Sequence, residues 1–296
     1  MTVALSSPDV SSHFLRGKPK EDPHQFWQAG LEVELRASDQ KTILGRTRHY
    51  GPLRLQRPFF PEGRDLAHLY ILHPPGGLVA GDRLQQSITV QPGAAGVVTT
   101  PAAGKVYFSQ SGSQQKQIIE LKVGNDASLE WLPQETILYN GCAAAMETRV
   151  TLTGTARYIG WEIICLGRTA SGEHFNQGSL LQTVRLERDG KPLFQERMHL
   201  EAGEYKQSGL LGFHGRPVFG TMMATLDKEP DIEEWHSQLN QDADHPIALT
   251  SRNGVLLVRY LGYSSAKARA LFEQAWQLCR PQVLGREACR PRIWNT

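Results

Sequence analysis

Three stretches of this chain repeat one design, a turn and a small residue followed by a short apolar strand. In Ala127-Ser-Leu-Glu-Trp-Leu-Pro-Gln-Glu-Thr-Ile-Leu-Tyr139, which runs into the turn pair Asn140-Gly141, the residues Leu129, Trp131, Ile137 and Tyr139 fall at period two. Pro133 removes a ladder donor between them, so the pattern predicts two short strands meeting at a corner. Upstream, Gln91-Pro-Gly-Ala-Ala-Gly-Val-Val-Thr-Thr-Pro101 lies on this stretch with Ala95 on Ala127, Val97 on Leu129 and Pro101 on Pro133. Downstream, Gly154-Thr-Ala-Arg-Tyr-Ile-Gly-Trp-Glu-Ile-Ile-Cys165 places Ala156 on Ala127. Units of about thirty residues, each with an apolar face, bury that face by stacking on the next, which predicts a β-solenoid-like coil. Three ordinary strands of a sandwich are the alternative.

Single carboxylates interrupt these apolar strands. Glu135 stands among bulky neighbours, and Glu162 sits in the middle of Tyr158–Gly167, a nearly continuous apolar run of the kind found in strands buried on both faces. Burying such a charge is costly unless it is paired, protonated or facing water. Glu196, in Pro192–His199, is either a third inward acid or half of a surface pair with Arg197. Carboxylates facing a common wet interior can pass a divalent cation along by weak contacts, without the soft cage that would trap it. The competing reading pairs each acid with an arginine such as Arg149, Arg157 or Arg197.

The remaining pattern is mainly β. Leu31–Arg36 and Lys41–Arg48 predict a hairpin, Asp189-Gly190 and Asn253-Gly254 predict tight turns, and residues 1–29 read as a flexible arm before a single domain over 30–296. Two helices are expected near the C-terminus. One lies over Asp231–Leu239, and the other is capped by Ser264 or Ser265 and stopped before Pro281, ahead of an extended tail. The densest signature is Leu69-Tyr-Ile-Leu-His-Pro-Pro-Gly-Gly-Leu-Val-Ala-Gly-Asp-Arg-Leu84. There Pro74, Pro75, Gly76, Gly77, Gly81 and Asp82 build either a rigid loop presenting His73 to a partner or ion, or a tight corner of the stack.

Composition narrows the function. Thirty-two basic and thirty acidic residues leave a formal charge of +2, interspersed, which argues against nucleic acid or an anionic membrane as partner. No run is long and apolar enough to span a membrane, the first residues lack a signal-peptide pattern, and the four cysteines lack CxxC spacing, so a cytoplasmic, reduced protein is expected. Thr100–Val106 resembles a phosphate loop only superficially, because Thr99 and Val106 stand where such a loop needs glycine and a hydroxyl. The lack of a metalloprotease, hydrolase or dinucleotide motif weakens the case for an enzyme and for a tightly bound cofactor. A cofactor-free hydrolase using the His73 loop or Cys165 is the distant alternative.

His73–Asp82, Thr99–Lys105, Leu129–Glu135, Trp161–Arg168 with Gly172-Glu173, and Pro291–Trp294 together resemble the urease accessory protein family UreD, also called UreH. The resemblance runs in order from about Gly30 to the C-terminus. It implies a helical stack of β-strands with two C-terminal helices. It further implies a non-catalytic maturation factor that docks on apo-urease with a UreF partner and the GTPase UreG, in a dimer of such heterocomplexes, and helps load nickel. For this family a water-filled passage is a proposed nickel route. Glu162 and Glu196 match acidic positions of its pattern, and Glu135 and His73 join them as expected transient nickel contacts. A scaffold without metal contact is the first rival. The family pattern commonly has Ser or Thr where Gly104 stands here.

Overall fold

A computed structural model describes residues 27–203, 212–239 and 246–295. Most of the expected N-terminal arm lies outside the described residues. The chain opens with the expected hairpin, β1 (Gln28–Ser38) and β2 (Lys41–Tyr50), closed by Asp39 and Gln40 at positive φ. The short β3 (Arg54–Leu55) then leads into a β-solenoid-like body of about four turns.

The first coil comprises β4 (Leu66–Leu72) and β5 (Arg83–Val90). The second comprises β6 (Ala95–Thr99), β7 (Gly104–Val106) and β8 (Gln115–Val123), and the third β9 (Ser128–Trp131), β10 (Thr136–Leu138) and β11 (Ala143–Leu152). β12 (Arg157–Leu166) and β13 (Ser179–Arg188) make the fourth. β14 (Lys191–Glu201) folds back on β13 through the Asp189-Gly190 turn, and β15 (Val218–Thr225) is antiparallel to β12. After the short helix α1 (Ile232–Gln238), β16 (Ile247–Arg252) and β17 (Val255–Gly262) extend the second sheet. Helix α2 (Ser265–Leu284) follows.

Stacking of the coils generates two long sheets. One runs β14-β13-β11-β8-β5-β1-β2 and the other β16-β17-β15-β12-β9-β6-β4-β3, with coil neighbours parallel in both. The alternation read in the sequence explains the sheets: along β5, Leu84, Gln86, Ile88 and Val90 point inward while Arg83, Gln85, Ser87 and Thr89 point out. A first core lies between the sheets, and a second lies between the outer face of β4, β6, β9 and β12 and helix α2. β12 feeds both, as its unbroken apolar run predicts.

The third repeat stacks as expected, with Ser128 opposite Arg157 and so Ala156 beside Ala127. The first is displaced by one residue, because Ala95 pairs with Ser128 rather than Ala127. A slip of one flips every side chain, so Val97 stacks on Glu130 under α2, and Val98 joins Trp131 in the inner core.

Helix α2 starts on Ser264, whose hydroxyl accepts from Lys267 N–H, and it does not stop before Pro281. It runs through that proline to Leu284 and closes at Gly285, in the left-handed region, which donates to the Pro281 carbonyl. Arg280, fully buried, carries the helix past the proline. Its guanidinium forks onto Glu130 (Nε–Oε2 3.0 Å, Nη2–Oε1 3.0 Å) and onto Glu62 (Nη1–Oε2 2.8 Å, Nη2–Oε1 2.9 Å), and it also donates to the Glu287 carbonyl. All five donors are used, and although burial opposes its charge, the two carboxylates hold Arg280 above its ordinary pKa. His68 completes the cluster at 2.7 Å from Glu62. The tail is not extended: Arg292–Asn295 forms a 3₁₀ turn that buries Trp294 against Trp161 and Trp276.

Candidate functional site

Two cavities lie along the inner core. The first, of about 150 Å³, is lined by His73 and Gly76 from the proline-glycine loop, by Thr100–Lys105, and by Gln86, Trp131 and Glu162. The second, of about 390 Å³, opens between the last strands of the two sheets and is lined by Glu162, Gln182, Glu196, Thr221 and Arg259. Glu162 and Ile164 belong to both walls. A water's share of liquid volume is about 30 Å³, so each space holds several. In the first, Gln86 Oε1 and Trp131 Nε1 are buried and find no hydrogen-bond partner among the described residues, the mark of a wet interior.

Glu162 faces inward because it shares the β12 face with Tyr158 and Ile164, while Trp161, Ile163 and Cys165 point to α2. Among the described residues no arginine meets it. Thr148 Oγ1 donates to one oxygen and Gln182 Nε2 to the other at 2.7 Å. Burial pushes its carboxyl up; these two bonds pull the other way, and nearby Glu196 adds a further upward push. Of the arginines that might have paired the acids, Arg149 meets Glu147, and Arg157 lies 3.6 Å from Asp227. Glu196 is paired, but with Arg259 Nη1 at 2.7 Å rather than with Arg197.

The proline-glycine loop is a tight corner that also reaches the first cavity. Gly76 N–H donates to the His73 carbonyl, and Leu78 N–H to Lys105 O, clamping the loop onto β7. A Cβ on Gly77 would stand 2.7 Å from the Lys105 carbonyl oxygen and 2.6 Å from the Tyr107 ring, so only glycine lets the strands close here. Asp82 Oδ2 accepts from Val79 N–H. Burial lowers the His73 pKa, with Asp82 opposing, so the ring is biased toward its neutral, ligating form.

His73 and Glu162 thus share the first cavity, and Glu162 and Glu196 the second. Glu135 joins neither: it is half-buried beyond the Pro133 corner, where Ser265 Oγ of α2 donates to it at 3.1 Å. The acid in that stretch that is fully buried is Glu130, which alternation with Leu129 and Trp131 disguises as a solvent-facing residue. Among the described residues no group of three His, Cys, Asp or Glu side chains is placed to hold a metal. Cys165 lies on the helix side with its thiol pushed up by burial, outside the lining of the His73 cavity, so these two residues do not form a nucleophile and base pair. No described helix is long and apolar enough to cross a membrane.

The sequence pattern of the UreD urease accessory protein family matches residues 28–295. The urease accessory protein UreD of Saccharophagus degradans is 42% identical over 294 residues, covering 98% of this chain and 98% of that protein. Those of Marinobacter nauticus and Dechloromonas aromatica are 45% and 39% identical, covering 93% and 97% of this chain and 95% and 100% of their own.

Proposed function

This chain belongs to the UreD urease accessory protein family, and on that premise we propose that it serves urease maturation as a scaffold that also hands nickel toward the urease active site. It does so in the cytoplasm, in a dimeric assembly with apo-urease, a UreF partner and the GTPase UreG, and it contributes no catalysis of its own. Nickel is cargo, held in passing. The route runs from the His73 cavity past Glu162 to the cleft at Glu196.

One observation carries this reading: Glu162, the inward carboxylate that meets no arginine among the described residues, is the shared wall of both cavities. A purely structural acid in so apolar a strand would be neutralised by a cation, as Glu130 is. Two neutral donors leave Glu162 able to trade a proton for a metal and release it again, which suits transfer better than storage.

The test replaces Glu162 with Gln and with Leu, co-expresses each chain with urease and the other accessory proteins, and measures complex recovery and nickel per urease site together. Intact complexes with nickel-poor urease are expected. Normal loading in both variants would return Glu162 to structure and leave the chain a scaffold without metal contact.

A further inference from the structure

The open end of the second cavity is built from two facing rungs. On one sheet Thr148 pairs with Val184 and Val184 with Glu196, across β11, β13 and β14. On the other Glu162 pairs with Thr221 and Thr221 with Arg259, across β12, β15 and β17. The rungs meet twice. At the inner end Thr148 bonds Glu162, and at the outer end Arg259 bonds Glu196 at 2.7 Å. The outer acid therefore sits on the sheet opposite the inner one, and the guanidinium paired with it lines the same space as both acids.

That arrangement is odd for a cleft that transfers cations. A guanidinium stays charged at any pH the protein meets, so it fills the outer acid permanently unless displaced and repels a divalent ion near it. Within the outer pair the charges of Glu196 and Arg259 cancel, so at rest that end of the cleft has no net attraction for a metal. Arg259 also has somewhere to go. Its side chain is 44% exposed, against 27% for Glu196, so solvent is open to it, and the guanidinium paired with Glu196 also lies 5.9 Å from the Phe194 ring.

We propose that Arg259 is the gate of this cleft: it occupies Glu196 while the cleft is empty, and swings away when a divalent cation enters between Glu162 and Glu196. The proposal rests on the nickel-passage reading above. Its consequence is a route that does not fill from the bulk solution and does not hold what passes.

The test titrates the folded full-length chain with Ni²⁺ alone by calorimetry at low salt, comparing wild type with Arg259→Gln, Arg259→Met and Arg259→Lys. Met keeps the contact with Phe194, should Gln fail to fold. Removing the cation is expected to tighten Ni²⁺ binding on the order of tenfold or more. Lys should stay near wild type, and adding Glu196→Gln or Glu162→Gln to Arg259→Gln should abolish the gain. A folded Arg259→Gln or Arg259→Met that binds Ni²⁺ no better than wild type overturns the gate, as does a gain that survives Glu196→Gln. The two ideas fail separately. Normal urease nickel in Glu162→Gln removes the passage itself, whereas nickel-poor urease in Glu162→Gln beside unchanged Ni²⁺ affinity in Arg259→Gln removes only the gate.

Discussion

The indole N–H of Trp294 donates to Thr99 Oγ1 at 2.8 Å, tying the last turn of the chain to the second coil across 195 residues of sequence. Thr99 passes the bond on to the Leu132 carbonyl in the third coil, so one short relay joins tail, β6 and the end of β9. Trp294 is 7% exposed and packs against two other tryptophans. Trp294→Ala should therefore lower unfolding free energy by about 3–5 kcal/mol in urea titrations. Trp294→Phe, which keeps most of the packing and loses the bond, should cost about 1–2 kcal/mol. Equal losses in the two would show that packing contributes nothing beyond the hydrogen bond.

Arg280 offers a sharper contrast. Arg280→Met strands two carboxylates in the second core and should destabilise by about 3–5 kcal/mol. Glu130→Leu combined with Arg280→Met removes the fully buried pair and leaves Glu62 with His68, and should recover much of that loss. A double mutant no more stable than Arg280→Met would mean that the arginine acts through the Glu287 carbonyl and the helix end instead.

The third prediction concerns pH. Burial raises the Glu162 carboxyl above its ordinary 4.5, so the folded state favours its neutral form. Such a group adds stability fully below its unfolded pKa and loses it as pH rises through the raised folded value. Glu162→Gln fixes the neutral form. Its melting temperature should gain on wild type as pH rises above the ordinary carboxylate range, and the two curves should converge on the acid side. Parallel curves above that range would mean that Glu162 is already ionised in the folded chain.

Much of this architecture is legible in the sequence. The repeat announces the coil, the Gly-bearing turns mark its hairpins, and the apolar run of β12 marks a strand with two buried faces. The errors have physical causes. Gly93-Ala-Ala-Gly96 offers small residues on both faces, so the alignment has no bulky side chain to fix its register and slips by one. Pro281 reads as a helix stop because the sequence does not reveal that Arg280 is pinned by two carboxylates from the other end of the chain. Glu130 escapes notice because alternation separates the two faces of a strand without saying which is covered. Its signal was on the partner, a lone arginine between Cys279 and Pro281 on the helix face that carries Trp276 and Val283. Glu162 was readable from its neighbours alone, while the pairing of Glu196 with Arg259 depends on two sheets converging, which no local pattern encodes.

Glu130 lies in the third coil, and its counter-charge leaves the ribosome 150 residues later. Until α2 emerges, a nascent chain with all four coils complete still shows an apolar sheet face with a bare carboxylate in its middle. Any product cut short before Arg280 keeps that face open and is a substrate for holdases and proteases rather than a smaller working version of the protein. The outer face of the early coils is thus closed only once α2 has been made.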